Sequence, residues 1–214
     1  MANIFVVCYG GGHVAMVIPV VRDLVARGHK VTILGLTTAG SELTRARLPH
    51  LGFRNLLGYS DNVEQVLVWG EELAGEPNPL SPVPYEESVA YHGLSFADWV
   101  AAEGFEAARL GYAEKGRYGF LPVALLKRVL AEFRPDLVVT TNSPRAEWAA
   151  QVASTDLGIP SICLVNLFGG KEFRRLAQPD YADRICVINN AVKEKFEAAG
   201  CTRGQVVVTG NPAI

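Results

Sequence analysis

A short glycine-rich turn, Tyr9-Gly10-Gly11-Gly12-His13, separates the first apolar run of the chain from its first helical pattern. Glycines let a backbone turn tightly and let a ligand approach the amide groups, and the helix that follows favours an anion at its N-terminus. We therefore take the three glycines as candidate phosphate ligands. An imidazole next to them can remove a proton from a hydroxyl, so His13 is the candidate general base. The alternative for His13 is a structural hydrogen bond to the backbone of neighbouring loop residues.

The same turn also satisfies the dinucleotide-binding pattern Gly10-x-Gly12-x-x-Ala15. A nicotinamide enzyme additionally needs an acidic residue at the end of the second strand, where it binds the ribose. Residues 34–38 (LGLTT) occupy that place and contain neither a carboxylate nor an arginine. The pattern therefore disfavours an NAD(P) enzyme.

Polar and glycine residues follow two later predicted strands. The carboxyl ends of parallel strands meet at one edge of a sheet, where ligands bind. The candidate substrate-binding residues there are Asn142, Asn166, Gly169, Gly170 and Glu172. Ser143 precedes Pro144 and is better explained as the N-cap of a helix. The alternative for Glu172 is a place in an ordinary solvated helix start.

Alternating strands and helices position these residues. Apolar runs at residues 4–8, 31–34, 137–141, 161–165, 185–188 and 206–208 predict strands. Glycines 28, 158 and 200 are predicted to end the intervening helices, and Asn189 or Asn190 is predicted to cap the last one. The alternation predicts an α/β fold: a Rossmann-like, open, mostly parallel sheet with helices on both faces.

Residues 60–133 interrupt this alternation. Four prolines between residues 76 and 85 predict a loop, and residues 86–133 are predicted to be helical, with Ser95 as the N-cap of one helix. Insertions into α/β sheets often build or cover a binding crevice. The alternative is that these helices only complete the core.

Composition narrows the functional classes. The chain has 214 residues, 49% of them hydrophobic, with 20 basic and 22 acidic side chains and a net charge of −2. A nucleic-acid partner is disfavoured because no basic excess is available to neutralise phosphates. The four cysteines form no CxxC pair, so we expect buried thiols and no zinc. We expect neither a signal peptide nor a transmembrane segment.

Both ends of the chain resemble GT-B glycosyltransferases, most closely the lipid-linked GlcNAc transferases of peptidoglycan synthesis (MurG type). The resemblance lies in residues 10–14 (GGGHV), Pro19 and residues 24–31 (LVARGHKV). It continues in residues 158–160 (GIP), residues 182–184 (ADR) and residues 208–212 (VTGNP), the last being similar to the segment where these enzymes cross into their second domain. The non-hydrolysing UDP-GlcNAc 2-epimerases share this architecture.

The resemblance implies an N-terminal, acceptor-binding domain over residues 1–208 and the start of an interdomain linker at 209–214, with Asn211 at the hinge and among the substrate-binding residues. It implies a metal-independent transfer of a sugar from a nucleotide-sugar donor, UDP-linked, to a hydroxyl acceptor, with no cofactor. In such enzymes the second domain binds most of the donor. We therefore expect this chain to lack the donor domain and to be inactive alone. A cytoplasmic location is implied, or one peripheral to the inner face of the membrane for a lipid-linked acceptor.

Two alternatives remain open. One is half of a sugar-nucleotide epimerase, which needs carboxylates in the cleft to remove and return a proton. Among the carboxylates of this chain only Glu172 is well placed for that task. The other is a non-catalytic subunit of a split glycosyltransferase, which would dock onto a catalytic partner.

Overall fold

Six strands form one parallel sheet in the computed structural model, which describes residues 1–214. They are β1 (Asn3–Cys8), β2 (Lys30–Gly35), β3 (Leu137–Thr140), β4 (Ser161–Leu164), β5 (Arg184–Val187) and β6 (Val206–Val208), in the order β2-β1-β3-β4-β5-β6. The strand order reverses beside β1, so the loops after β1 and β3 diverge and leave a crevice at the carboxyl edge.

Nine α-helices and three short 3-10 helices connect the strands. The α-helices are α1 (Gly12–Ala26), α2 (Ala39–Arg45), α3 (Val63–Ala74), α4 (Tyr85–Glu103), α5 (Phe105–Lys115), α6 (Val123–Phe133), α7 (Ala146–Asp156), α8 (Phe173–Leu176) and α9 (Asn190–Ala198). The 3-10 helices are Phe53–Tyr59, Gly116–Gly119 and Gly170–Glu172. The predicted Rossmann-like α/β class is confirmed, with every strand pairing parallel. No helix combines the length and the apolar composition that crossing a bilayer requires.

Strand β1 is buried on both faces, which explains its unbroken apolar run. Ile4, Val6 and Cys8 pack into a cluster with α1 and α2, whereas Phe5 and Val7 point the other way, into a cluster formed by the insertion and α7. Because side chains alternate along a strand, one apolar run serves both layers. The helices therefore cover both faces of the sheet, as predicted.

The predicted helix ends follow local chain physics. After α1, Gly28 adopts a φ of 82°, and the amides of Gly28 and His29 bond back to the carbonyls of Val25 and Leu24. This pair of bonds is a Schellman motif, which requires a left-handed residue and so favours glycine. Gly158 ends α7 in the same way with a φ of 67°. The side chain of Asn189 caps α9 by accepting from the amide of Val192, as predicted.

Two predicted N-caps are wrong. Ser143 does not cap α7, which begins at Ala146 after an unusual turn, and the Ser143 amide instead donates to the carboxylate of Glu147. Ser95 is fully buried within α4 rather than at a helix start. The residue on α4 that caps a helix is Asp98, whose carboxylate accepts from the first amides of α6.

The helical insertion completes the largest part of the core. Helices α3 and α4 cross with almost no gap between their backbones. A Cβ added to Gly93 would lie 2.0 Å from the carbonyl oxygen of Val66, and one added to Gly70 would lie 2.2 Å from that of Val89. Glycine is required at this crossing because any side chain would force the two helices apart.

We expect Gly93→Ala to lower the free energy of unfolding by about 1–3 kcal/mol, since the added methyl group overpacks the crossing. Gly58→Ala is the matched control, because nothing lies within 4 Å of the Cβ it would add. Urea denaturation of both variants measures the difference. Equal stability of the two would show that the helices separate at little cost.

Candidate functional site

The glycine-rich turn joins β1 to α1 at the carboxyl edge of the sheet. Gly11, with a φ of 65°, is the N-cap of α1 and is exposed. A Cβ at Gly10 would lie 1.7 Å from the hydroxyl oxygen of Thr38, and one at Gly12 would lie 2.9 Å from the side-chain nitrogen of Asn166. The first amides of a helix have no acceptor within it, so this exposed helix start is suited to an anion.

His13 bridges from the first turn of α1 to the loop after β3. Its Nδ1 lies 2.8 Å from the hydroxyl oxygen of Thr141, and its Nε2 lies 3.4 Å from that of Ser143. His13 therefore contacts side chains of another loop, and these bonds do not involve the backbone. Burial lowers the pKa of His13, which keeps its imidazole neutral to lower pH.

The sequence prediction missed Glu147, a carboxylate buried completely in the first turn of α7. It accepts hydrogen bonds from the hydroxyl of Thr141 and from the amides of Tyr9, at 2.9 Å, and Ser143. Burial raises the pKa of Glu147 to about 7, although these hydrogen bonds and the nearby Arg145 favour the charged form. The only local signal is that Glu147 lies among alanines of a helix face that packs into the core.

Together His13, Thr141 and Glu147 form a hydrogen-bonded chain, the histidine relay. When Glu147 is ionised, the Thr141 hydroxyl donates to it and can only accept from His13. That arrangement assigns the proton of the neutral imidazole to Nδ1 and leaves the lone pair on Nε2. The relay thus presents a base with a defined tautomer at the carboxyl edge of the sheet.

The loops after β3 and β4 are tied together beside this relay. The buried side chain of Asn142 accepts from the amide of Asn166 at 2.6 Å, and Asn166 in turn contacts Gly12. Four residues predicted from the sequence, Gly12, His13, Asn142 and Asn166, therefore converge on one edge. The role of Asn142 there is to hold the loop that carries Asn166.

The other predicted residues lie outside this hydrogen-bonded group. Gly169 adopts a φ of 81° and packs against α8 and α9, and Gly170 adopts a φ of 53°. Glu172 forms a 2.6 Å ion pair with Arg175, and Asn211 accepts from the amide of Ala213 at 2.9 Å. Their role in substrate binding stays a prediction.

A known protein-family model describes the chain that carries this glycine turn and histidine relay. The model for the glycosyl transferase 4-like domain matches residues 11–212. The chain belongs to this family. The resemblance to GT-B glycosyltransferases is confirmed.

Solved structures agree on the fold of this glycosyltransferase 4-like domain. MurG from Acinetobacter baumannii is similar with a TM-score of 0.56 at 15% identity, over 99% of this chain and 45% of that one. UDP-GlcNAc 2-epimerase from Methanocaldococcus jannaschii has a TM-score of 0.58 at 11% identity, over 98% of this chain and 45% of that one. The epimerase from Neisseria meningitidis, solved with bound UDP-GlcNAc, has a TM-score of 0.57 at 12% identity, over 99% and 47%.

The chain spans about half the length of these solved proteins. At sequence identities this low, the similarity shows that the fold is shared and nothing more. No curated protein sequence matches the chain.

Proposed function

We propose that this chain is the acceptor-binding domain of a GT-B glycosyltransferase that moves a sugar from a nucleotide-sugar donor, UDP-linked, to a hydroxyl acceptor. The family match supports the sugar-transfer class. The single observation that carries the catalytic assignment is the histidine relay, in which the buried carboxylate of Glu147 orients His13 through Thr141.

In the proposed step, Nε2 of His13 takes the proton of the acceptor hydroxyl. The acceptor oxygen forms a bond to the anomeric carbon of the donor, and the bond from that carbon to the diphosphate breaks. The nucleoside diphosphate leaves with the electron pair. The imidazolium that results keeps its Nδ1 hydrogen bond to Thr141, and the negative charge of Glu147 stabilises it, as a buried carboxylate does in hydrolase triads.

The amides of Gly11 and Gly12 are proposed to face a phosphate of donor or acceptor, since they begin α1 and are exposed. We propose that a second domain binds most of the donor, and the greater length of similar solved chains, about twice that of this one, is consistent with such a domain. We expect the 214-residue chain alone not to transfer sugar, since it cannot hold donor and acceptor in register. For a lipid-linked acceptor we propose a location at the inner face of the membrane.

The test compares the enzyme that contains this domain with the 214-residue chain alone. Both are incubated with UDP-GlcNAc and other nucleotide sugars, with and without hydroxyl acceptors, and the release of UDP and the products are measured. Acceptor-dependent release of UDP by the larger enzyme supports the proposal. Conversion of the donor to its 2-epimer without an acceptor would instead indicate the epimerase. Activity only after a separate protein is added would indicate the split transferase.

Thr141→Val tests the relay directly, because it keeps the shape of the side chain and removes the hydroxyl. We expect kcat to fall about 10- to 100-fold, the value of one hydrogen bond to a charged group. Thr141→Ser keeps the hydroxyl and should retain kcat within a few-fold. Steady-state kinetics of UDP release measures both variants. If the valine variant turned over as fast as the serine variant, the relay would have no part in the reaction.

A further inference from the structure

A cavity of about 340 Å³ lies beside the glycine-rich turn. Neither the histidine relay nor the hydrogen bond between Asn142 and Asn166 uses it. Its wall includes Tyr9 after β1 and Arg145 after β3, and the insertion closes it with Tyr91 and His92 from α4 and Arg117 from a 3-10 helix. The volume falls at the lower end of small-molecule sites, which span roughly 300–1,000 Å³. A site of this size fits a single sugar ring or a comparable group.

The charges on the wall are not balanced. Neither Arg117 nor Arg145 forms an ion pair, although the buried Glu147 lies near enough to Arg145 for their charges to interact. The one carboxylate on the wall, Glu87, accepts from the amides of Phe53 and Arg54 and so caps a 3-10 helix. The wall therefore offers two guanidinium groups to an anion, with one carboxylate already engaged by backbone amides.

The guanidinium of Arg145 is held in place by aromatic rings. Its Cζ lies 5.1 Å from the ring centre of Tyr9 and 5.5 Å from that of Tyr118, and its Nε is buried without an acceptor. The backbone of Arg145 has a φ of 71° and a ψ of −117°, a conformation that favours glycine. Strain of this kind is commonly retained where it places a functional group.

Two tyrosine hydroxyls lie behind the wall without a well-formed hydrogen bond. Tyr9 and Tyr91 are 7% and 8% exposed, and their hydroxyl oxygens are closed to solvent, near each other and near Arg145. The tyrosine rings therefore shape the wall around the Arg145 guanidinium, and their hydroxyls do not face the cavity. Burial lowers the pKa of His92 most and both arginines lower it further, so His92 stays neutral to lower pH.

We propose that this cavity binds an anionic group of the acceptor, a phosphate or a carboxylate carried on a sugar-sized body. Arg117 and Arg145 supply the charge, and the rings of Tyr9 and Tyr91 form part of the wall beside them. The inference rests on the proposed function, because it assigns the acceptor to this cavity. The cavity and the relay share Tyr9, whose ring lines the wall and whose amide donates to Glu147.

Calorimetric titration of the 214-residue chain tests the proposal without any donor or turnover. The probes are α-D-glucose 1-phosphate, D-glucuronate and neutral D-glucose. We expect one or both anions to bind and glucose not to bind, and the stronger of the two anions identifies phosphate or carboxylate. Equal binding of glucose would overturn the proposal.

Arg117→Gln and Arg145→Gln are each expected to weaken anion binding about 10- to 100-fold through the loss of a charge-assisted hydrogen bond. Arg117 is exposed, so its variant should fold even if the strained turn at Arg145 does not tolerate change. Arg109→Gln is the matched control, because Arg109 pairs with Glu106 on α5 and does not line the cavity. Unchanged binding in Arg117→Gln would contradict the proposal.

Tyr91→Phe separates binding from packing. We expect unchanged anion binding with equal or greater stability to urea, because the hydroxyl that the variant removes is closed to the cavity and makes no well-formed hydrogen bond. A loss of stability with unchanged binding would mean that the hydroxyl is structural. If binding is absent but the enzyme transfers sugar, only this inference fails. If the anion binds as described but no sugar transfer occurs, only the proposed function fails.

Discussion

Replacing His13 with alanine is expected to lower kcat of the enzyme that contains this domain by a factor of about 10²–10⁴, as the loss of a general base does. Folding should be nearly unaffected, because His13 is only partly buried and lies at the crevice edge. The expected result is therefore a large change in turnover with a small change in the free energy of unfolding. Steady-state kinetics and urea denaturation of the same preparation measure the two quantities.

His29→Ala is the matched control. His29 lies at the opposite, amino edge of the sheet, where its Nδ1 accepts from the amide of Ala2 at 3.2 Å. It should lose some stability and no activity. If His13→Ala turned over like His29→Ala, His13 would have no role in proton removal.

Glu147→Gln is expected to lower kcat by about 10² or more, by analogy with the loss of the orienting carboxylate in hydrolase triads. The glutamine side chain has nearly the shape of the glutamate side chain. Its NH2 group, however, is a hydrogen-bond donor, and the groups around this position already donate. If its NH2 group faces Thr141, the threonine accepts from it and donates to Nδ1 of His13. The proton of the imidazole then moves to Nε2, and the base is lost.

The pH profile distinguishes this tautomer effect from a structural one. Burial raises the pKa of Glu147 to about 7, so the carboxylate becomes ionised, and His13 takes the basic tautomer, as pH rises through that value. We expect kcat/KM of the parent enzyme to rise with pH near 7, as a property of the coupled Glu147–His13 pair. The inflection should be missing in Glu147→Gln and retained in Thr141→Ser. A parent profile that is flat through this range would exclude the assignment.

Local rules of chain geometry account for the parts of the fold that sequence reasoning predicted. The burial of β1 follows from its unbroken apolar run, and the ends of α1 and α7 follow from Gly28 and Gly158, which adopt the left-handed φ that these ends need. The predicted cap at Ser143 fails because α7 begins further along the chain than predicted. The Ser143 amide is taken by Glu147, and the chain turns through a strained Arg145 before α7 begins.

The candidate site likewise has features that local sequence patterns predict and features that depend on contacts between distant residues. Sequence patterns were enough to predict the α/β class, the glycine turn and the place of His13 at the carboxyl edge, because hydrophobic periodicity and glycine spacing are local features of the chain. The partners of His13 depend on tertiary contacts, which no local sequence pattern reveals. The pairing of β1 with β3 brings Thr141, 128 residues away along the chain, to its imidazole. Close packing of α7 in the core then buries Glu147 behind Thr141, and the exclusion of water there raises the pKa of Glu147.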